Sequence, residues 1–518
     1  MYLPAPATSK IWNKGSARPL LTPYTVARGI IVVVLLITLL IFGLSTFLNA
    51  GDSPPAHDIE KPAQIGYSDS DIDSLHKSLA EILKQKDSAA KLKQIVPLFK
   101  QLRSMAVYTS GTEFNISDFR EMGRRVLTHK LLFELYHDEH TLKPKLEKLA
   151  EWAEVPALLK SMEVDLFPWM FATKRFTSAK QLRDSYSGRG IVMTTGLWHF
   201  RFAHHAVLAL RTLIKTDLPI ELYYAGRHDL HEEQIKILSN IPNVKVIDVT
   251  KILGDDGGLG GWAVKPYSML ASSFKEMIFL DADALFLKDP RALYDYERYE
   301  DRGAVFFHDR TVKGWDKNLK TWFATLVSEP SDTYKQSRIF QELSIHEQDS
   351  GVVLLDKVRA FHGLLTVCKM NGHKEHTEVY KHMHGDKETF WISFEMVRVP
   401  YAFNPFHGGA VGYLAPDGAV CGGLFHPDEQ GQPLWFNGGV LVNKYHSLHN
   451  TLNFTHAGVD AAGRGVSWRW ETPTTPFCLE IDANVKTDER REVIELSPAQ
   501  KALTLQYVEL WKQCCDYE

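Results

Sequence analysis

The stretch Glu276-Met-Ile-Phe-Leu-Asp281-Ala-Asp283-Ala-Leu-Phe-Leu sets two carboxylates, one small residue apart, at the end of an apolar run. The run reads as a buried strand. Residues two apart in an extended segment point the same way, so Asp281 and Asp283 would converge. Hard cations such as Mg²⁺ or Mn²⁺ are held by one or two carboxylates, with substrate phosphate oxygens completing the shell. A cation held there neutralises the charge that builds on a departing diphosphate. Two solvated acids in a loop are the ordinary alternative. Placement at the carboxyl end of a buried strand, where α/β sheets bind ligands, favours the metal site.

Other residues extend the same chemistry. Thr194, Thr195 and Gly196 follow an earlier apolar strand, where backbone N–H groups would hold a nucleotide. Lys265 opens the helix ahead of the acidic strand and would reach a phosphate as a point charge. A plain strand exit and a solvated lysine are the corresponding bland readings. Gly258-Leu-Gly260-Gly-Trp-Ala263 fits a loose dinucleotide pattern with an acid about 20 residues on. Its glycines trail the strand VKVIDV by a polar loop, whereas a dinucleotide site needs the tight turn directly after the strand. His373, His376, His382 and His384 lack a ligand spacing and read as an exposed helix face.

Short apolar runs alternate with helix-like stretches from Gly188 onwards: GIVMTT, His204 to Ile214, IELYYAG, VKVIDV, Pro266 to Phe274, MIFLDADALF, AVFFHD and SGVVLLD. Such alternation means βαβ units and a mostly parallel sheet flanked by helices, an α/β fold. From about Cys421 to the end, Gly, Pro and aromatic residues predict loops and a small closing subdomain. Between Asp71 and Glu154 apolar residues recur at three and four, as in Leu75, Leu79, Ile82 and Leu83, which predicts amphipathic helices. These helices would pack on the catalytic domain or on a partner.

Residues 29–48 are uncharged and long enough for one membrane-spanning helix, which takes about 20 residues. Lys10, Lys14, Arg18 and Arg28 precede them, and Asp52, Asp58 and Glu60 follow. That asymmetry keeps the N-terminus cytosolic and sends the rest across, as in a type II anchor. A cleaved signal peptide would have a shorter apolar region. Sequons at Asn115 and Asn453 agree with a lumenal location. A formal charge of −4 with scattered Lys and Arg gives no footprint for nucleic acid. Five cysteines without a CxxC pair indicate neither a zinc site nor a dense disulfide framework. One or two disulfides would suit an oxidising lumen, and the odd count leaves at least one thiol unpaired or bonded to another chain. The adjacent Cys514 and Cys515 are the expected site of such an interchain bond.

Together, GIVMTTGLWHF, LPIELYYAG, GWAVKPYSMLASSF, IFLDADALF, GAVFFHDR, HEQDSGVVLLDK, GDKETFW and the segment from His426 to Lys444 resemble the fungal Golgi α-mannosyltransferase family that builds outer-chain and cell-wall mannan. The resemblance covers about residues 190–445. It implies a GT-A fold, GDP-mannose as donor, Mn²⁺ as metal, and retention at the transferred mannose. The implied acceptor is a mannose-terminated N- or O-glycan, with a complex of other Golgi mannosyltransferases as a further implied partner. In this family reading Asp283 chelates the metal, while Asp281 supports the ribose or a metal-bound water. Asp349 lines the sugar pocket, and Asp386, then Glu388, stabilises positive charge at the anomeric carbon. His426 stands where glycogenin-like transferases place a third metal ligand, with His446 and His308 as rivals. Trp435, Phe436 and Asn437 suggest an aromatic acceptor shelf. Both α-1,2 and α-1,3 linkages occur in the family, and the LYYAG and GDKETFW stretches incline the reading toward α-1,2.

The expected organisation is a cytosolic tail at 1–28, an anchor at 29–48, a stem linker at 49–70, and a helical stem region at 71–185. A GT-A catalytic domain at 186–460 and a C-terminal extension at 461–518 follow. Rival readings are a transferase using another nucleotide sugar, a glycoside hydrolase with paired carboxylates, and a non-catalytic subunit of a transferase complex.

Overall fold

The computed structural model describes residues 67–85, 88–113, 115–254, 258–314, 317–463, 466–481 and 492–516. The tail and anchor expected at 1–48 lie outside them. Among the described residues, no helix is long and apolar enough to cross a membrane.

The helical region begins with α1 (Asp69–Lys84), whose first turn is capped by Ser68 and Asp71 reciprocally. Its buried Ile72, Leu75, Leu79 and Ile82 fall on one face. After it come α2 (Ser88–Gly111), α3 (Phe119–His137) and α4 (Val155–Leu166). Asp118 caps α3 by accepting from the backbone N of Glu121 at 2.9 Å. Leu131, Phe133 and Met162 of these helices share one core with Phe361, Phe390 and Phe394 farther along the chain. Arg398 reaches Asp73 at 2.8 Å, and His129 Nδ1 lies 3.1 Å from His362 Nε2. The N-terminal helices therefore pack on the later α/β part of the chain.

The central sheet contains β1 (Arg189–Thr194), β2 (Ile220–Tyr224), β3 (Val244–Asp248), β4 (Glu276–Leu280), β6 (Ala304–His308), β7 (Gln348–Asp356) and β8 (Ala402–Phe403), while β5 (Leu285–Phe286) joins a second sheet. Its order is β3-β2-β1-β4-β7-β6-β8. The first four strands are parallel, with Ile191 opposite both Ile220 and Ile278. Strand β7 runs antiparallel to both neighbours, so the sheet is mixed beyond β4. Every residue of β7 is buried, as expected of a strand covered on both faces. On one side lies α5 (Phe200–Thr212), on the other α6 (Val264–Ala271), α7 (Phe361–Met370) and α8 (Lys387–Met396).

The region after Cys421 departs from the expected loops. Together with β9 (His407–Leu414), it builds an antiparallel sheet from β10 (Val420–Pro427), β11 (Pro433–Asn437), β12 (His456–Asp460), β13 (Val466–Arg469), β14 (Cys478–Ile481) and β15 (Glu492–Glu495). Its glycines mark close strand approach. A Cβ at Gly412 would stand 2.0 Å from the Cys421 carbonyl oxygen, and one at Gly409 would stand 2.0 Å from that of Gly458. Helix α9 (Pro498–Cys514) closes the chain against α5, where His205 Nε2 lies 2.8 Å from the Tyr507 carbonyl. The C-terminal stretch is thus integral to the fold.

Cysteine usage keeps to the expected one or two disulfides with a thiol left over and departs from expectation only at the tail. Cys421 and Cys478 bridge β10 to β14, Cys514 and Cys515 bond to each other, and the buried Cys368 is the free thiol. Both sequon residues, Asn115 and Asn453, are exposed.

Candidate active site

Strand β4 delivers its acids to the seam between the two sheets, because β5 pairs with β11 of the second sheet directly afterwards. Residues 281–284 form a turn, with Ala284 N donating to the Asp281 carbonyl at 3.1 Å. The two carboxylates are therefore not stacked as in an extended segment. Asp281 is anchored by its own N–H to the Gly351 carbonyl on β7 at 2.8 Å.

Each acid has its own lysine. Lys265, in the first turn of α6, lies 2.7 Å from Asp281 Oδ1, and Asp283 is paired with Lys444. Lys265 also donates to Ser350 Oγ at 3.3 Å and stands 3.8 Å from Asp386 Oδ2. Ser350 Oγ in turn donates to Asp386 Oδ2 at 3.2 Å. Burial pushes the Asp281 carboxyl up to about 6, against the pull of Lys265. Burial raises Asp386 as well, again opposed by Lys265. For Asp283 burial acts upward, but Lys444 overrides it and holds the group below the usual carboxylate range. The two ammonium groups respond in kind. Burial disfavours their charge, and Asp281 and Asp283 more than restore it.

Asp349 faces a different set of groups. Its Oδ1 accepts from Gly351 N at 2.9 Å, and its Oδ2 lies 2.9 Å from His426 Nε2. The fully buried His426 ring stacks on Trp435 at a centroid distance of 4.2 Å. Among the described residues, no group of three ligating side chains includes Asp281, Asp283 or His426. His426 Nε2 is engaged by Asp349 in this structure, while its Nδ1 is buried without a hydrogen-bond partner. His308 is likewise committed, lying 2.9 Å from Glu347 and stacked on Phe403.

Glu388 does not face a cavity. It accepts from Glu347 N at 2.9 Å and Trp391 Nε1 at 2.7 Å, and burial pushes it up to about 7. Asp386, by contrast, sits just before α8 within reach of Lys265 and stays a site residue. At the end of β1, the N–H of Thr195 is spent on the Tyr223 carbonyl at 2.9 Å, and that of Leu197 on Asp229 at 2.8 Å. A Cβ on Gly196 would meet Asp229 Oδ1 at 2.3 Å, so any side chain there would displace that carboxylate. Trp435 and Phe436 are fully buried and form no shelf, whereas Asn437 does line a cleft. Lys444 and Ser350 escaped the reading of single residues, though both lie inside or beside motifs that stood out.

Two carboxylates with no third ligating side chain beside them among the described residues fit a hard divalent cation whose other ligands are phosphate and water. They do not fit a four-ligand structural metal.

Residues 188–430 match the family described as "Mannosyltransferase putative". The chain is similar to "Putative alpha-1,3-mannosyltransferase MNN14" of Candida albicans, at 26% identity over 55% of this chain and 48% of that one. It is similar to "Probable alpha-1,3-mannosyltransferase MNT4" of Saccharomyces cerevisiae, at 24% identity over 63% and 66%. A third relative is "Alpha-1,3-mannosyltransferase MNT3" of Saccharomyces cerevisiae, at 24% identity over 44% and 43%. The chain spans about half the length of the first of these relatives, and no more than 66% of any of the three. Among solved structures, the galactosyltransferase LgtC with donor and acceptor sugar analogs is 13% identical over 41% of this chain and 72% of that one, at a TM-score of 0.28, too low to argue from.

Proposed function

We propose that this chain, whose residues 188–430 match the family described as "Mannosyltransferase putative", transfers mannose from GDP-mannose to a mannose-terminated glycan. The observation that carries the proposal is the lysine-matched acidic pair, Asp281 and Asp283, at the carboxyl end of β4. The names of the relatives support an α-1,3 linkage. The charge asymmetry around residues 29–48 supports a single-pass type II protein of the Golgi membrane with its catalytic region in the lumen.

In this reading Asp283, and with it Asp281, would hold Mn²⁺, which when bound would offset negative charge on a leaving diphosphate. Lys444 and Lys265 then stand beside the diphosphate as point charges instead of closing on the acids. Asp386, fixed through Ser350, holds a negative charge beneath the transferred sugar, where an oxocarbenium-like centre gains most from it. Both oxygens of Asp349 are engaged by His426 and Gly351, so it is oriented to accept from sugar hydroxyls rather than to attack carbon. Front-face attack by the acceptor hydroxyl, with the leaving phosphate taking its proton, gives retention without a covalent intermediate.

A screen of nucleotide sugars by thermal shift tests the donor. GDP-mannose with Mn²⁺ is expected to raise the melting temperature most. A larger shift with another nucleotide sugar would discard mannose as the transferred group.

A further inference from the structure

A cleft of about 180 Å³ opens between the two sheets, walled by Arg310, Asn437, Lys444, Tyr445, Glu471 and Phe477. Whole-ligand pockets run to roughly 300–1,000 Å³, so this one suits a single ring. Lys444 is the partner of Asp283, which places the cleft next to the acidic pair.

Arg310 is the unusual member. Its guanidinium lies over the rings of Phe477, at 4.3 Å, and Trp468, at 5.2 Å. Its Nε is buried with no hydrogen-bond partner, and so is Trp468 Nε1. A buried donor left unsatisfied is costly, and native folds keep few of them. The charges that act on Arg310 come from Asp309, Asp349 and Glu471. Asp309 is already paired with Lys387 at 2.7 Å, and both Asp349 oxygens are engaged. Glu471, half-buried, feels Arg310, Lys444 and His446. Tyr445 is 76% exposed at the rim, with Lys444 Nζ over its ring at 5.4 Å from the centroid, and so presents an aromatic face to solvent. A guanidinium, a carboxylate and an aromatic face around a ring-sized space suit a neutral hexose. Its vicinal hydroxyls accept from the cation and donate to the acid, while its C–H face stacks on the ring.

Resting on the transferase reading above, we propose that this cleft is the acceptor subsite, taking one hexose ring through Arg310, Glu471 and the face of Tyr445. The disulfide between Cys421 and Cys478 holds its walls in register. Gly422 and Phe477 both line the cleft, and Gly422 N donates to the Phe477 carbonyl at 2.9 Å. The rival occupant is the donor diphosphate, drawn by the two cations.

The experiment measures initial rates of the full-length protein with GDP-mannose and mannobiose, and separately GDP release without acceptor. Arg310→Gln, Glu471→Gln and Tyr445→Ala are expected to raise the KM for mannobiose at least about tenfold. The KM for GDP-mannose and the acceptor-free GDP release should stay within about twofold. Tyr445→Ala lies at an exposed rim position and keeps the test decisive if Arg310→Gln fails to fold. A raised donor KM, or an unchanged acceptor KM, overturns the acceptor assignment while leaving the transferase reading intact. Absence of GDP release by the unsubstituted protein with mannobiose present, with folding shown by its melting transition, instead overturns the transferase reading and this proposal with it.

Discussion

The ammonium of Lys444 is paired with the carboxylate of Asp283 across 161 residues of chain. The pair joins the turn after β4 to the loop after β11, and so binds the central sheet to the antiparallel one. Gly439, in the left-handed region at φ +68°, adds a second tie by donating its N–H to the Asp283 carbonyl at 2.9 Å. A cation arriving with a diphosphate would exchange for the lysine at the acid while the lysine keeps an anionic partner.

Asp283→Asn keeps the side-chain volume and removes the charge. Turnover is expected to fall by about 10²-fold or more, the scale seen when one group stabilising a transition-state charge is lost. Circular dichroism should remain that of the folded protein. A folded Asp283→Asn enzyme with full turnover would remove the acidic pair from the mechanism.

Lys265→Met leaves Asp281 and Asp386 without their shared counter-charge. Breaking a buried ionic network from one side costs about 3–5 kcal/mol. The melting temperature should drop accordingly, and Mn²⁺ should restore more of it than in the unsubstituted protein. Equal metal effects on both proteins would contradict a metal site at Asp281.

Glu388→Gln separates structure from catalysis. The folded-state value of Glu388 lies above its ordinary 4.5, at about 7, so the native state holds the extra proton. Stability from this group is fully present below about pH 4.5 and is lost as pH rises through about 7. The loss is of order 3 kcal/mol at most. Melting curves between pH 5 and 8 should show this decline in the unsubstituted protein and a flatter profile in Glu388→Gln. Turnover of the variant should stay within a few-fold, because Glu388 is enclosed by Glu347 N and Trp391 Nε1.

His426→Gln addresses the metal shell. The affinity for Mn²⁺ is expected to change by less than a few-fold, since His426 is packed between Asp349 and Trp435. The melting temperature should fall, because Asp349 loses a buried partner. A metal affinity reduced by a hundredfold would reinstate His426 as a ligand.

Cys478→Ala opens a cross-link that spans 57 residues. Loop-closure entropy predicts a loss of about 4 kcal/mol, within the usual 2–5. Denaturant unfolding measures it directly.

What the sequence revealed was local. Met277–Leu280 read correctly as a buried strand ending in acids, and the alternation from Gly188 gave the parallel half of the sheet. Lys265 stood out from its place alone. Long-range pairing was illegible, because nothing in the sequence couples Lys444 to Asp283 or His426 to Asp349. Gly422 falls in the stretch read as loops, yet it sits in a strand where a Cβ would stand 1.8 Å from the Val411 carbonyl oxygen. Trp435 and Phe436 looked like a sugar platform but are core, since β11 alternation cannot be fixed without knowing that it pairs with β5 on one side and β10 on the other. The exposed aromatic, Tyr445, lies just past that strand.

Mannosyl transfer by the purified full-length protein tests the central claim most directly, with GDP-mannose, mannobiose and Mn²⁺, and again in EDTA. The account predicts a trimannoside with a new α-linkage, formed with Mn²⁺ and lost in EDTA. Transfer that persists undiminished in EDTA, or no transfer from GDP-mannose by the folded protein, would contradict it.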